Sequence, residues 1–182
     1  MIGRGSVSKI VLPLILMTAA TALAEPAVEL RVSLFPAGNF TAKSAKVKGH
    51  AELNGNTVSA KNITVPTASF DSGIDLRNKH MKQRFETEKF PEAVLLEATG
   101  RDGKGKGKLQ VKGVVREVDG SYKLVNDNKE LEATFKTKAS DFNIKDVSYM
   151  KVGMEDELEV FVRVPVQPAS AAPADAPKKK KK

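Results

Sequence analysis

The chain has 182 residues and a formal net charge of +8, with two tyrosines and neither tryptophan nor cysteine. The lack of cysteine excludes disulfides, thiolate metal sites, cysteine nucleophiles and lipoprotein attachment. Most of the positive charge lies in the first 24 and last 18 residues, so the part between them lacks the basic surface and aromatic stacking platforms of a nucleic-acid-binding domain.

Residues 1–24 have the order of a secretory signal peptide. Arg4 and Lys9 precede an apolar run from Ile10 to Leu16, and Ala22-Leu23-Ala24 resembles a cleavage site. The apolar run is shorter than the roughly 20 residues that a membrane anchor needs, which favours removal of the segment. The sequence therefore predicts an exported protein, periplasmic or secreted, that begins at Glu25.

Alternation of apolar and polar residues predicts eight β-strands in residues 25–166. They lie at about 28–34, 45–53, 57–65, 94–99, 109–115, 122–124, 131–137 and 158–166. The alternation slips between Ala60 and Ile63, as at a β-bulge.

Turn-forming residues separate several of these strands. Asn54-Gly55, Asp102-Gly103, Asp119-Gly120 and 126–128 are typical of hairpins or short loops. The glycine–lysine repeat at 103–108 lacks the order of a phosphate-binding loop, so we interpret it as a flexible hairpin.

Eight strands joined mainly by short turns predict an antiparallel meander, and closing it into a barrel removes both exposed edges. We expect an all-β, eight-stranded antiparallel barrel as a single domain over residues 25–166. An interior of that size holds packed side chains or one small ligand. An open sandwich is the alternative that the same alternation permits.

One short helical insertion is predicted at 74–86. Ile74, Arg77, Met81 and Phe85 recur every three to four residues, which places them on one helical face. Ser72 and Gly73 are typical of a helix start, and Pro91 prevents continuation. We expect the apolar stripe to cover one barrel opening, as a plug or as a lid over a ligand.

Residues 167–182 are predicted to form a disordered tail of proline, alanine and lysine. Lys178 to Lys182 favour a weak, salt-sensitive contact with an anionic membrane or a cell-wall polymer. A tail that only increases solubility is the alternative.

A search for reactive groups gives no catalytic or metal site. His50 falls on the polar face of its strand, and a helical His80 packs against Arg77 or a carboxylate more often than it acts as a base. The acidic run 155–159 lacks calcium-loop spacing and is interpreted as a solvated turn. We therefore predict no enzyme activity, no metal and no cofactor other than a bound lipid.

Several short motifs follow one another through the chain. Ser72-Gly73, 77–81, Phe85 and 88–91 fill the places of a Thr-Gly, Arg-Asp-x-His-Leu, aromatic, Glu-Lys-Tyr-Pro signature, with Asn78 in place of the aspartate. Further matches occur at 107–113, 140–144 and 152–158. In these motifs the chain resembles the YceI-like family over nearly all of its length after residue 24.

The resemblance implies a secreted lipocalin-like barrel that binds a long-chain isoprenoid lipid, such as a quinone side chain or a polyprenyl phosphate. The residues that we expect to contact such a lipid are Val32, Phe70, Leu76, Met81, Phe85, Val111, Phe135 and Val162. The alternative is a non-enzymatic structural or interaction module of the cell envelope, with a packed core and a lysine tail that binds polyanions. The oligomeric state stays open, and a dimer is compatible with the sequence.

Overall fold

The computed structural model describes residues 25–36, 38–144, 148–149 and 152–169. These residues form ten strands, one α-helix and the two 3₁₀ turns Thr67–Ser69 and Ser140–Phe142. The strands and the helix are β1 Ala27–Phe35, β2 Gly38–Ser44, β3 Ala51–Asn54, β4 Thr57–Pro66, α1 Asp75–Phe85, β5 Glu92–Arg101, β6 Lys104–Val111, β7 Val114–Val125, β8 Glu130–Lys138, β9 Ser148–Tyr149 and β10 Val152–Pro168.

Seven of the strands form a closed barrel. The hydrogen-bonded order is β10-β3-β4-β5-β6-β7-β8, and β8 pairs with β10 again. All neighbours in this ring are antiparallel except β10 and β3, which are parallel with Val166 opposite Ala51. The predicted all-β closed barrel with one helix is confirmed.

The predicted number of eight strands is wrong, because β1 and β2 lie outside the seven-stranded ring. The 17-residue β10 pairs with β1 from Gly153 to Arg163 and with β3 only beyond Val164. The same edge of β10 therefore pairs with two strands, first β1 and then β3. Alternation identifies strands, but it does not say which strand pairs with which.

The predicted strand at 45–53 is mostly irregular. Only its end belongs to β3, while Lys48 forms an isolated bridge to Thr64 and Gly49 has a φ of +111°. The neighbouring strand β2 was not predicted. It buries only small side chains, Ala42 and Ser44, which give a weak hydrophobic signal.

Three further predictions between residues 103 and 120 are wrong. The predicted strand at 109–115 is divided by a hairpin turn in which Lys112 and Gly113 have φ of +50° and +73°. The repeat at 103–108 is not a flexible hairpin, because only Gly103 lies in a turn and residues 104–108 form most of β6. Asp119-Gly120 is not a turn either, since both residues lie inside β7.

Other local predictions are confirmed. Asp102 and Gly103 form a left-handed hairpin turn with φ of +52° and +78°. The side-chain alternation slips at Asn62, whose φ is +52°, and buried positions move from Ala60 to Ile63. The helix predicted at 74–86 is α1.

The ends of the predicted domain differ from the structure in one respect. Strand β10 continues two residues past 166, with Gln167 and Pro168 opposite Glu52 and Leu53. The predicted signal peptide and residues 170–182 of the tail lie outside the described residues. No helix in the described part of the chain is both long and apolar enough to cross a membrane.

Candidate ligand-binding cavity

The N-terminal end of α1 is held by hydrogen bonds to the preceding loop. Asn78 Oδ1 accepts from the Ser72 backbone N–H at 2.9 Å and from Ser72 Oγ at 2.8 Å, while Asn78 Nδ2 donates to Asp71 Oδ1 at 2.6 Å. The Gly73 N–H donates to the same carboxylate at 2.9 Å. The bonds from Gly73 and Asn78 hold the pKa of Asp71 below its ordinary value. The N-cap itself is Ile74, not the predicted Ser72 or Gly73.

The C-terminal end of α1 is held by Lys112 from the β6–β7 turn. Lys112 Nζ lies 2.6 Å from Glu86 Oε1 and donates to the Asn143 carbonyl at 3.2 Å. The Lys112 side chain is only 9% exposed. Its hydrogen bond lowers the pKa of Glu86, the left-handed residue that ends the helix. The helix is thus fixed to the barrel at both ends.

One side of α1 packs on the barrel core. Met81 and Phe85 are half-buried, and the rings of Phe85 and Phe70 stack with centroids 6.2 Å apart and planes 19° apart. The Arg77 guanidinium carbon lies 4.2 Å from the centroid of the Phe40 ring. These contacts place α1 against β2 and the loop after β4.

A cavity of about 770 Å³ lies beside α1. Its described wall comes from α1, β1, β2, β10 and the segment after β8. The apolar wall residues are Leu30, Val32, Leu34, Phe40, Ile74, Leu76, Met81, Phe85, Ala139, Ile144, Met154 and Leu158. The polar wall residues are Arg77, His80, Gln83 and Arg84, all on α1. The volume falls within the roughly 300–1,000 Å³ of small-molecule sites.

A second cavity, of about 100 Å³, lies in another part of the barrel interior. Its wall includes Tyr122, Phe135 and Val162 and shares no described residue with the large cavity. Glycines form much of this region. A Cβ on Gly100 would lie 2.5 Å from Tyr122 Cε1, so the glycine makes room for the tyrosine ring. Side chains therefore occupy most of this part of the barrel and leave a cavity far smaller than the one beside α1.

The predicted ligand contacts are divided between these regions. Val32, Leu76, Met81 and Phe85 line the large cavity, and Leu76 is 56% exposed. The other four residues do not line it: Phe135 and Val162 face the small cavity, Phe70 is buried behind Phe85, and Val111 is buried in a core cluster with Val32.

Several wall residues were not among the predicted contacts. Leu30 and Leu34 share the face of β1 that carries Val32, so the alternation could have identified them. Arg77, His80 and Arg84 follow one another at helical spacings of three and four. That spacing can be read from the sequence, but a basic side chain does not indicate that a residue lines an apolar cavity.

The remaining reactive side chains have local partners. His50 is a half-buried residue whose Nε2 lies 3.9 Å from Glu52 Oε1. The acidic run at 155–159 lies within β10 and is not a turn. Asp156 accepts from Ser140 Oγ at 2.7 Å and from the Ser140 N–H at 2.8 Å, which lowers its pKa. In the described ranges no three His, Asp or Glu side chains cluster as metal ligands do.

Comparison with known proteins gives the same fold. The chain is similar to the crystal structure of BcnA from Burkholderia cenocepacia, with 18% identity, a TM-score of 0.60 and coverage of 76% of this chain and 94% of that one. It is also similar to the crystal structure of a mutant CJ YCEI protein with a monobromobimane guest, with 15% identity, a TM-score of 0.50 and coverage of 87% and 97%. No protein of curated function matches the chain.

A family model described as "YceI-like domain" matches residues 20–166. That match includes α1, every barrel strand and the wall of the large cavity. The chain therefore belongs to the YceI-like family.

Proposed function

We propose that this protein is an exported, non-enzymatic binding protein that holds a long apolar ligand of the polyisoprenoid type in the cavity beside α1. The observation that supports this most is the cavity itself, about 770 Å³ with twelve apolar side chains in its described wall. A fully packed barrel would leave no such space, because protein interiors have few voids larger than a water molecule.

The energetics favour an apolar chain as the ligand. Each CH₂ group transferred from water into an apolar wall contributes about 0.8 kcal/mol, so a few isoprene units give useful affinity without any polar contact. Val32, Leu76, Met81 and Phe85 are the predicted contacts that serve this proposal. A ligand confined to the large cavity needs no contact with Phe135 or Val162.

The signal-like order of residues 1–24 supports a periplasmic or secreted location. Membership of the family supports binding rather than catalysis. The proposed partner is therefore a lipid. Protein that cells have exported should still carry this lipid, which can be tested.

The envelope-module alternative has one observation in its favour. The barrel interior around Tyr122 and Phe135 is filled apart from about 100 Å³. A protein that uses only its surface would be packed in this way throughout, whereas the region beside α1 is not.

Native mass spectrometry of the full chain purified from its own host tests the proposal, and we expect a co-purifying lipid. Titration of the delipidated protein with a fluorescent polyisoprenoid then tests the site. Phe85→Ala should weaken binding about tenfold or more, because losing a large apolar contact of about 1.5–3 kcal/mol changes affinity by that order. Its stability loss should stay below the roughly 3–5 kcal/mol of a filled core.

Val115→Ala is the matched control. Val115 is 41% exposed on β7 and lines neither cavity, so its truncation should leave lipid binding unchanged. The carrier proposal fails if no lipid co-purifies, the parent protein does not bind the probe, and Phe85→Ala costs as much stability as a core truncation.

A further inference from the structure

Arg77 is a half-buried cation in a mostly apolar cavity wall. Its guanidinium lies 4.2 Å from the Phe40 ring centroid, and its neighbour in the same wall is Met81, one helical turn along α1. The ring contact stabilises a cation but offers no oxygen acceptor to the guanidinium N–H groups.

No carboxylate in the described part of the chain forms an ion pair with Arg77, and no Asp or Glu stands in the described wall of the cavity. The acids that flank α1 have other partners: Asp71 accepts bonds from Gly73 and Asn78, and Glu86 pairs with Lys112. Asp75 is two residues from Arg77 on the helix, a spacing at which side chains do not face each other.

This arrangement has a physical cost that a ligand can offset. A cation that is partly withdrawn from water is unfavourable unless an opposite charge pairs with it. The guanidinium presents N–H donors in a planar fork that matches a carboxylate or a phosphate, and such charge-assisted bonds are the strong ones.

Resting on the proposed function, we infer that the cavity selects a single-chain amphiphile whose anionic head, a carboxylate or a phosphate, pairs with Arg77. Its apolar tail lies against Leu30, Val32, Met81, Phe85 and Leu158. His80 and Arg84 line the same wall and make other contacts of their own; the inference depends on Arg77 alone.

Matched ligands with and without the charge test this in the delipidated full chain. Hexadecanoic acid is compared with hexadecanol, and farnesyl phosphate with farnesol, by calorimetric titration below their aggregation concentrations. We expect the anionic member of at least one pair to bind about tenfold tighter or more, the order that one charge-assisted pair supplies. The arm that shows the difference identifies the head as carboxylate or phosphate.

Arg77→Gln should weaken the anionic ligand about tenfold and leave the neutral one unchanged, whereas Arg77→Lys, which keeps the charge but not the fork, should recover part of the loss. Lys79→Gln is the control on the exposed side of α1 and should change neither affinity.

Three results would overturn the inference. If anionic and neutral ligands bind the parent protein equally, or if Arg77→Gln weakens both alike, then Arg77 serves packing on Phe40 only, and the apolar-ligand proposal stands alone. If no ligand of either pair binds the parent protein, the inference on Arg77 fails, and the co-purifying lipid and the polyisoprenoid titration decide the proposed function separately. The comparison in the parent protein decides the matter even if a variant does not fold.

Discussion

Gly120 lies inside β7, where the barrel wall leaves no space for a side chain. A Cβ at this position would lie 2.6 Å from the Thr134 carbonyl oxygen and 2.9 Å from Phe135 Cβ. The nearest obstacle is backbone, which cannot rotate away as a flexible side chain does. Gly120→Ala should therefore destabilise the protein by about 1–3 kcal/mol, the usual cost of overpacking, as measured by denaturant unfolding.

Gly153→Ala is the matched control for this prediction. Gly153 is also a strand glycine, in β10, and a Cβ there would meet nothing within 4 Å among the described residues. Alanine at this position should leave the free energy of unfolding within about 0.5 kcal/mol of the parent value, as for surface substitutions generally. Equal losses in the two variants would show that close packing at Gly120 is not the cause.

The same residue shows a limit of sequence interpretation. Asp-Gly is typical of a hairpin turn, and at Asp102-Gly103 it forms one with positive φ at both residues. At Asp119-Gly120 the glycine instead permits the close approach of β8. Both roles require a missing Cβ, so the dipeptide alone cannot separate them.

At the scale of single elements, α1 is fixed to the barrel at its C-terminal end by the Glu86–Lys112 ion pair. Because the pKa of Glu86 is lowered in the folded protein, the pair contributes stability above the ordinary glutamate pKa of about 4.3. That contribution is lost as the pH falls through the lowered pKa. The parent protein should thus lose stability on acidification more steeply than Glu86→Gln does.

Denaturant midpoints of the two proteins between neutral pH and about pH 3, which brackets the ordinary glutamate pKa, check this prediction. The difference between them should be largest near neutrality and should shrink in acid. Asp71, Glu97, Glu132 and Asp156 also have lowered pKa values, but both proteins retain them. A difference that does not change with pH would mean that Glu86 acts through packing and not through its charge.

The elements themselves were predictable to different degrees. The helix was predictable because Arg77, Met81 and Phe85 keep a helical spacing between strands that alternate. The strands that pair with β10 were not predictable. Alternation distinguishes the two faces of a strand, whereas pairing occurs through the backbone at its two edges. The Lys112-Gly113 turn was missed since lysine is uncommon at the first left-handed position of a hairpin.

The candidate site was predictable only in part for a similar reason. Alternation places Val32, Phe135 and Val162 on the inward face of their strands, but it contains no information on their height along the barrel. Height decides which cavity a residue lines. Of the predicted contacts, only Val32 and the helix residues Leu76, Met81 and Phe85 therefore line the large cavity.

At the scale of the whole molecule, the described barrel has one region that side chains mostly occupy and one that is open. Glycines let Tyr122 occupy the interior in the first region, while α1 spans the second and leaves a cavity of about 770 Å³. The helix is fixed at both ends by hydrogen bonds and an ion pair. Under the proposed function, ligand specificity resides in the helix, which supplies every polar group of the described wall.

We propose that the predicted lysine tail gives the protein a second, independent way to contact an anionic surface. Five lysines near an anionic surface contribute roughly 1 kcal/mol each, and salt weakens the attraction because the Debye length is about 10 Å at 0.1 M ionic strength. Deleting Lys178 to Lys182 should therefore reduce sedimentation of the protein with anionic phospholipid vesicles at low salt. A variant with glutamine at the same five positions, which keeps the length of the chain, should behave like the deletion.

The melting temperature of the barrel should not change in either variant, since charge in a solvated tail contributes nothing to packing. A fall in melting temperature would show that the tail packs on the domain, and vesicle binding that survives both changes would place the membrane contact elsewhere on the protein.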